Sequence, residues 1–268
     1  MVRILTKVCR EAVRCFFYLI PKCISCRTIR MSLILPFVPL SGIEVSLAVT
    51  EEDKNQAYRL IHNSYVAAGY IGPRPDGLKK PQNAGSSSTH TLVAKIKGNV
   101  VGTITLMNQY EGQFPMESEF DLKEYSQDRT RTSEVGGLAV DPLFRKMKGA
   151  VLFPLFRAIV DFSREELDID NLIITYNPRL AELYECLLLF RRIPGTKKVA
   201  LSSVDGAPAL AAHLNLVTAP KEYQKAYGNR KTKHNLYRYL FVRNAPCIKL
   251  PSAQPFTISW SAPKEQKI

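Results

Sequence analysis

Hydrophobic positions divide the first half of the chain into short regular elements. Apolar residues alternate with polar or small ones over 43–49, which predicts a half-buried strand. Thr50, followed by three acidic residues, is typical of a helix start, and this helix is expected to end near Gly69. Two further strands, 91–97 and 100–107, are expected to form a hairpin that turns at Gly98-Asn99.

The second half of the chain alternates short strands with helices. The pattern predicts strands at 134–140, 172–175, 199–203 and 208–216, and helices at 149–166 and 178–189. The first of these helices is apolar nearly all round, which indicates that it is buried. The last two strands are expected to pair around Asp205-Gly206. This order of elements describes an α/β fold with a mixed, mostly antiparallel sheet flanked by helices.

Proline, glycine and polar residues mark the breaks between these elements. Segment 72–88 is rich in proline, glycine and serine, and segment 110–132 is polar and irregular, so both are predicted to be loops. We predict three parts: a basic N-terminal extension over 1–40, one α/β domain over 41–218, and a C-terminal helical appendage and tail over 219–268.

Composition and charge narrow the range of partners. The 268 residues are 46% hydrophobic, which is enough for a sizeable core and argues against a disordered chain. The 37 Lys and Arg residues exceed the 24 Asp and Glu residues by 13, and such a surface attracts polyanions. Anionic lipid, the phosphates of coenzyme A and an acidic carrier protein are all candidate polyanionic partners. Nucleic acid is not expected, because the sequence contains none of the motifs that bind it.

The six cysteines are distributed unevenly along the chain. They are Cys9, Cys15, Cys23, Cys26, Cys186 and Cys247. The Cys23-x-x-Cys26 spacing matches half a zinc or redox site, but a second pair is missing, and the four histidines show no metal spacing. The sequence therefore predicts free thiols in a reducing compartment and no metal site.

The N-terminal residues combine basic and apolar side chains. Their longest uncharged run, 15–21, is far too short to cross a bilayer, and no secretory cleavage site follows it. Two interpretations stay open: a poorly ordered extension, or a segment that lies on an anionic membrane surface. We expect a cytoplasmic protein, with peripheral contact at the inner membrane face under the second interpretation.

A first candidate site follows the strand at 134–140. The chain passes from that strand through a basic, glycine-containing loop into a helix, whose free N–H groups favour a pyrophosphate or pantetheine. An ordinary strand-to-helix turn is the alternative interpretation. The candidate binding residues are Leu138, Val140, Arg145, Lys146, Lys148, Gly149 and Ala150.

A second segment, 177–190, resembles a motif of the GNAT acyltransferases. Asn177, Ala181 and Tyr184 resemble the asparagine, alanine and tyrosine of that motif, although Leu189 stands where glycine usually precedes Phe190. The resemblance implies a GNAT (acyl-CoA N-acyltransferase) fold. It also implies that Asn177 lies where two parallel strands separate and that Tyr184 protonates the departing thiolate. A buried core tyrosine is the alternative.

Within that superfamily the chain resembles the long-chain N-acyl amino acid synthases, which are related to the acyl-homoserine-lactone synthases. Three stretches carry the resemblance over about 43–217, namely 58–71, 133–140 and 204–208. The first stretch contributes Tyr65 and Tyr70 as candidate substrate-binding residues. Gly137 and Ile61 replace two arginines of the lactone synthases, which disfavours an adenosylmethionine-derived amine and favours an amino acid or another amine.

The resemblance implies direct attack of an amine on a thioester carbonyl. Glu134 is the candidate base, with a surface or capping carboxylate as the alternative. Backbone N–H groups over 138–140 would stabilise the oxyanion. The implied donor is a fatty acyl-phosphopantetheine on acyl carrier protein, or acyl-CoA, as a co-substrate with no permanently bound cofactor. A small-acyl acetyltransferase and a non-catalytic domain that binds lipid or a carrier protein are the competing hypotheses.

Overall fold

The computed structural model describes residues 22–36, 40, 42–122, 125, 127–147 and 149–242. The strands are β1 (Ile43–Leu47), β2 (Thr89–Ile96), β3 (Asn99–Met107), β4 (Thr132–Val140), β5 (Asn171–Tyr176), β6 (Arg191–Arg192), β7 (Val199–Leu201) and β8 (Ala207–Asn215). The α-helices are α1 (Lys22–Ser32), α2 (Glu51–Ala67), α3 (Pro142–Arg145), α4 (Leu152–Glu165), α5 (Ala219–Tyr227) and α6 (Leu236–Phe241).

These strands form one mixed sheet in the order β1-β2-β3-β4-β5-β8-β6, and β7 pairs with β8 beside this path. β4 and β5 run parallel, while the other pairs of described strands are antiparallel. The predicted mixed, mostly antiparallel sheet is therefore confirmed.

Helices cover both faces of the sheet. Successive side chains of a strand point to opposite faces, so neighbours along β2 enter different cores. Leu92 and Ala94 belong to the large cluster that contains α4, whereas Val93 belongs to a smaller cluster with α2. The sheet is thus a middle layer, and α2 and α4 lie on opposite sides of it.

The described parts of both terminal segments pack into the large cluster. Leu33 and Leu35, which follow α1, are buried there, as are Tyr223 of α5 and Tyr239 of α6. The Tyr223 hydroxyl also donates a hydrogen bond to the carbonyl oxygen of Leu188. These segments therefore share a hydrophobic core with the sheet. Among the described helices, none is both long and apolar enough to cross a membrane.

A disulfide joins Cys26 of α1 to Cys186, 160 residues later. Beside it, the Arg30 guanidinium donates a hydrogen bond of 2.7 Å to the Cys186 carbonyl oxygen. The prediction of free thiols is wrong for this pair, because sequence spacing does not reveal which distant cysteines meet in the fold. Of the remaining cysteines, 9, 15 and 247 lie outside the described residues.

Cys26→Ser is expected to lower the free energy of unfolding by about 2–5 kcal/mol, because the cross-link restricts a long loop in the unfolded chain. The melting temperature should fall by about 2–4 °C for each kcal/mol lost. Thermal unfolding with and without a thiol reductant checks this: the reductant should lower the melting temperature of the unaltered protein and leave the variant unchanged. Equal melting temperatures for both proteins in the absence of reductant would contradict it.

Two local predictions differ from the structure. The hairpin turns at Lys97-Gly98, because Asn99 already pairs with Ile96. The predicted helix over 178–189 is a 3₁₀ turn (Pro178–Leu180) followed by a π-helical segment (Glu182–Leu187). Leu189 then adopts φ = +57°, so the left-handed backbone conformation that glycine favours is kept without the glycine.

The predicted loop over 110–132 contains a hydrophobic cluster. Its buried apolar residues are Phe114, Met116, Phe120, Leu122 and Tyr125, which pack with Ile173 of β5 and with residues of β8. A 3₁₀ turn (Pro115–Ser118) lies within this segment. The apolar residues are spaced irregularly, so periodicity did not identify a segment that covers β5 and β8 on the face of the sheet opposite α4.

Candidate active site

The candidate site is a cleft where β4 and β5 separate. Their parallel pairing ends at Val135 and Ile174, although both strands continue beyond it. On its other side β4 contains a bulge opposite Ile104, where Gly137 adopts φ = +59°. Separated strands expose backbone groups that a continuous ladder would occupy. The predicted separation of two parallel strands is present.

A largely apolar cavity, termed here the thioester cavity, occupies this cleft. Leu138 and Asn177, predicted from the two motifs, line it, and so do Tyr65, Tyr70 and Tyr184. Apolar residues from β3, β4, α4, β5, β8 and the stretch before β6 complete the wall, among them Ile104, Val135, Phe156, Ile174, Leu188, Phe190 and Ala209. Five side chains that sequence reasoning selected for binding or catalysis therefore meet at one cavity.

Tyr184 lies in an aromatic group at this cavity. Its ring centroid is 5.2 Å from that of Tyr176 and 6.0 Å from that of Phe190. Burial, together with the nearby Tyr65 and Tyr70, raises the pKa of Tyr184 well above its usual value. Tyr184 therefore stays protonated at neutral pH and is able to donate a proton or a hydrogen bond.

A second cavity, termed here the acceptor cavity, adjoins the first. The two share Tyr65, Gly136, Gly137, Thr175 and further residues of the β7–β8 turn. The acceptor cavity is additionally lined by Glu134 of β4 and by residues of the 72–88 loop. The two cavities thus meet at the bulge of β4.

Glu134 is buried, with 5% of its surface exposed, and its Oε2 accepts a hydrogen bond of 2.8 Å from the Met116 backbone N–H. Oε1 makes no hydrogen bond to any of the described residues. Burial raises the pKa of Glu134 to about 8; the Met116 hydrogen bond opposes this rise and the Glu117 charge adds to it. Glu134 is therefore not a surface carboxylate, although its Oε2 atom does cap the 3₁₀ turn that contains Met116. A free oxygen and a pKa near neutrality suit proton transfer.

Because the pKa of Glu134 is raised on folding, stability should decrease as pH rises. Below the ordinary value of 4.5 the carboxyl is neutral in the folded and unfolded states, and its contribution is complete. Between 4.5 and about 8 the unfolded chain ionises first, so the unfolding free energy falls by about 1 kcal/mol per pH unit. Urea unfolding at several pH values should show this slope in the unaltered protein relative to Glu134→Gln. Parallel profiles would contradict it.

The basic loop after β4 is arranged differently from the prediction. Arg145 Nε donates to the Val140 carbonyl oxygen at 2.7 Å, and Nη2 donates to Ser64 Oγ at 2.9 Å. Gly149 adopts φ = +80°, and a Cβ there would lie 2.4 Å from the Phe153 ring. The predicted binding residues Val140, Arg145, Lys146, Gly149 and Ala150 line neither cavity. Lys148 lies outside the described residues.

Asn177, a predicted binding residue, and two arginines have structural roles. Asn177 Oδ1 accepts the Arg179 N–H at 3.0 Å and so caps the 3₁₀ turn. Arg131 forms ion pairs with Asp168 and Asp170, each at 2.6 Å. Arg129 is likewise paired, with Glu117 at 2.6 Å. These two arginines are therefore not free to attract an acidic partner.

Sequence reasoning missed Thr175, which lines both cavities, and Lys79, which lines the acceptor cavity. Thr175 was assigned to a strand without a role, and Lys79 lies in a segment that shows no periodic pattern. Neither carried a sequence signal. Over the described ranges, no group of three or more His, Cys, Asp or Glu side chains is arranged to hold a metal ion.

The comparisons with known proteins agree with this geometry. The profile of the family described as N-acyl amino acid synthase FeeM matches residues 56–215. The solved structure of FeeM, from uncultured soil microbes, is 23% identical, with a TM-score of 0.54 over 67% of this chain and 93% of that one. The structure of BjaI, a CoA-dependent acyl-homoserine lactone synthase, is 17% identical, with a TM-score of 0.52 over 79% of this chain and 92% of that one. No curated protein matches the sequence. The predicted GNAT fold is confirmed.

Proposed function

The chain belongs to the family of the N-acyl amino acid synthase FeeM and is an acyltransferase, and on this premise we propose that it transfers a fatty acyl chain from acyl carrier protein to the amino group of an amino acid. One observation carries the proposal: the two cavities meet at the bulge of β4, with Tyr184 on the first and Glu134 on the second. A thioester and an amine would therefore approach each other between a proton donor and a proton acceptor.

The proposed reaction assigns one step to each group. The amine nitrogen forms a bond to the thioester carbon, and ionised Glu134 takes a proton from that nitrogen. The electron pair that moves to the carbonyl oxygen is stabilised by backbone N–H groups at the bulge, near Leu138. As the pair returns, the C–S bond breaks and the thiolate sulfur takes the Tyr184 proton. An amide and a free thiol leave, and solvent restores the Tyr184 proton and accepts the one on Glu134.

The character of the thioester cavity supports a long acyl chain as the transferred group. Its wall is mostly apolar, and it extends inward from Tyr184 to core residues such as Ile104 and Phe156. Burial of each methylene group of an acyl chain contributes about 0.8 kcal/mol, so such a wall favours a fatty acyl group over an acetyl group.

A surface next to the site supports carrier protein as the donor. Leu143 is 82% exposed and Met147 is 43% exposed, and they flank Lys146 in the segment that follows β4. Exposed apolar residues beside basic ones fit a partner with an acidic, partly apolar helix. The net charge of +13 acts in the same direction.

Purified protein should be incubated with a mixture of amino acids and, separately, with palmitoyl carrier protein, palmitoyl-CoA and acetyl-CoA. Mass spectrometry is expected to detect N-palmitoyl amino acids, formed faster from the carrier than from CoA. Acetylated products without any long-chain product would favour the acetyltransferase hypothesis. Absence of product with every donor, together with retained carrier binding, would favour a non-catalytic domain.

Replacing the exposed residues after β4 should weaken use of the carrier selectively. The double variant Leu143→Asp, Lys146→Glu removes one positive charge and adds two negative charges, and it is expected to raise KM for palmitoyl carrier protein by about 10-fold or more, because it repels an acidic partner. KM for palmitoyl pantetheine, which lacks the protein, should change less than about 2-fold. Equal changes for both donors would show that this surface does not contact the carrier.

A further inference from the structure

Two lysines, Lys79 and Lys80, lie in the wall of the acceptor cavity that also contains Glu134. Lys79 is half-buried, and Lys80 is exposed at the rim. The catalytic proposal uses neither of them. Their cavity would receive the amine substrate, so any group of that substrate other than its nitrogen would contact them.

The position of Lys79 is fixed by its backbone. Its N–H donates to the Tyr58 carbonyl oxygen of α2 at 3.1 Å. The same loop is tethered at Gly72, whose N–H donates to Asp205 Oδ2 at 2.8 Å, and at Arg74, whose N–H donates to His62 Nε2 at 2.9 Å. The loop therefore forms a defined wall of the cavity between α2 and the β7–β8 turn.

The ammonium group of Lys79 has no hydrogen-bond or ion-pair partner within the part of the chain that the structure describes. Burial lowers its pKa, and the charge of Arg74 adds to this effect, while Asp205 opposes it. Glu134 is not its ion-pair partner, since the Oε2 atom is held by Met116 and Oε1 is free of hydrogen bonds to described residues. A partly desolvated cation without a partner favours binding of an anion.

We propose that Lys79, supported by Lys80 at the rim, binds the carboxylate of the acceptor, so that the enzyme selects α-amino acids over amines that lack a carboxylate. This inference rests on the function proposed above. An α-amino acid presents an amine and a carboxylate on one carbon, and the acceptor cavity presents a carboxylate base and a cation in one wall. An amine without a carboxylate would leave Lys79 without an anionic partner.

The test compares an amino acid with its amide, which keeps the amine and removes the negative charge. Lys79→Met keeps most of the apolar stem and loses the ammonium, so the loop is expected to stay folded. The variant should lower kcat/KM for the amino acid by about 10- to 100-fold and for the amide by less than about 3-fold. Lys79→Arg should recover most of the preference for the amino acid over its amide. Lys221→Met, an exposed lysine of α5, is the matched control and should change neither value.

The possible outcomes distinguish failure of this inference from failure of the proposed function on which it rests. Suppose that the unaltered protein acylates amino acids and that Lys79→Met leaves the ratio of kcat/KM for the amino acid to kcat/KM for the amide unchanged. The inference that Lys79 binds the carboxylate is then wrong, and the acyltransfer proposal stands. A variant that loses activity equally with both acceptors also overturns the inference. If the unaltered protein transfers no acyl group to any amine, the proposed function fails and this inference fails with it.

Discussion

Glu134→Gln is expected to lower kcat for acyl transfer by about 10²- to 10⁴-fold, because the amide group is unable to take a proton from the attacking nitrogen. The side chains are nearly equal in size, so the thioester cavity should keep its shape and KM for the acyl donor should change little. Steady-state kinetics with the donor and acceptor varied separately would measure both quantities. Glu165→Gln, at the exposed end of α4, is the matched control.

The pH profile provides a second check on Glu134. Burial raises its pKa to about 8, so the carboxylate form that accepts the proton becomes more abundant as pH rises toward that value. The kcat/KM of the unaltered protein should therefore increase with pH and show an inflection near 8, which should be missing from Glu134→Gln. A variant that retains most of its activity and keeps the inflection would exclude Glu134 as the base.

Tyr184→Phe is expected to lower kcat by about 100-fold, because the departing thiolate loses its proton donor. The phenyl ring keeps the contacts with Tyr176 and Phe190, so the melting temperature should remain close to that of the unaltered protein. Stopped assays of thiol release would measure the loss. Tyr237→Phe, on α6 and outside both cavities, is the control for removing a tyrosine hydroxyl.

The leaving group distinguishes a proton donor from a residue that only fills space. An aryl thioester releases an aryl thiolate, which is more stable than an alkyl thiolate and needs less protonation as it leaves. The decrease in kcat caused by Tyr184→Phe should therefore shrink to less than about 10-fold with this donor. An equal loss with alkyl and aryl thioesters would contradict the role of Tyr184 as an acid and leave it as a packing residue.

Much of the fold and part of the site follow from local sequence pattern. Alternation over 43–49 predicts β1, Thr50 begins α2 as expected, and the apolar stretch near 149–166 becomes the buried helix α4. The second motif placed Tyr184 at the cleft between β4 and β5. These features depend on periodicities of two and 3.6 residues and on end signals within a few positions, which are all present in the local sequence.

Other features depend on residues that are distant in sequence, and only the tertiary structure determined them. The pairing of Cys26 with Cys186 closes 160 residues of chain, and spacing does not specify it. Glu134 has its raised pKa because the elements packed around it remove water, and the charge of Glu117 adds to this effect. Burial depends on which elements pack together, and local sequence pattern does not contain that information.

The same distinction between local sequence and tertiary contacts applies to the residues of the cleft. The sequence by itself determined the described strands other than β6, the class of fold and the identity of the candidate acid and base. The tertiary structure decided that the basic loop turns its Arg145 toward Val140 and Ser64, and that Lys79 lines the acceptor cavity. The physical reason is that side-chain direction and desolvation are set by contacts between elements, whereas element type is set largely within each element.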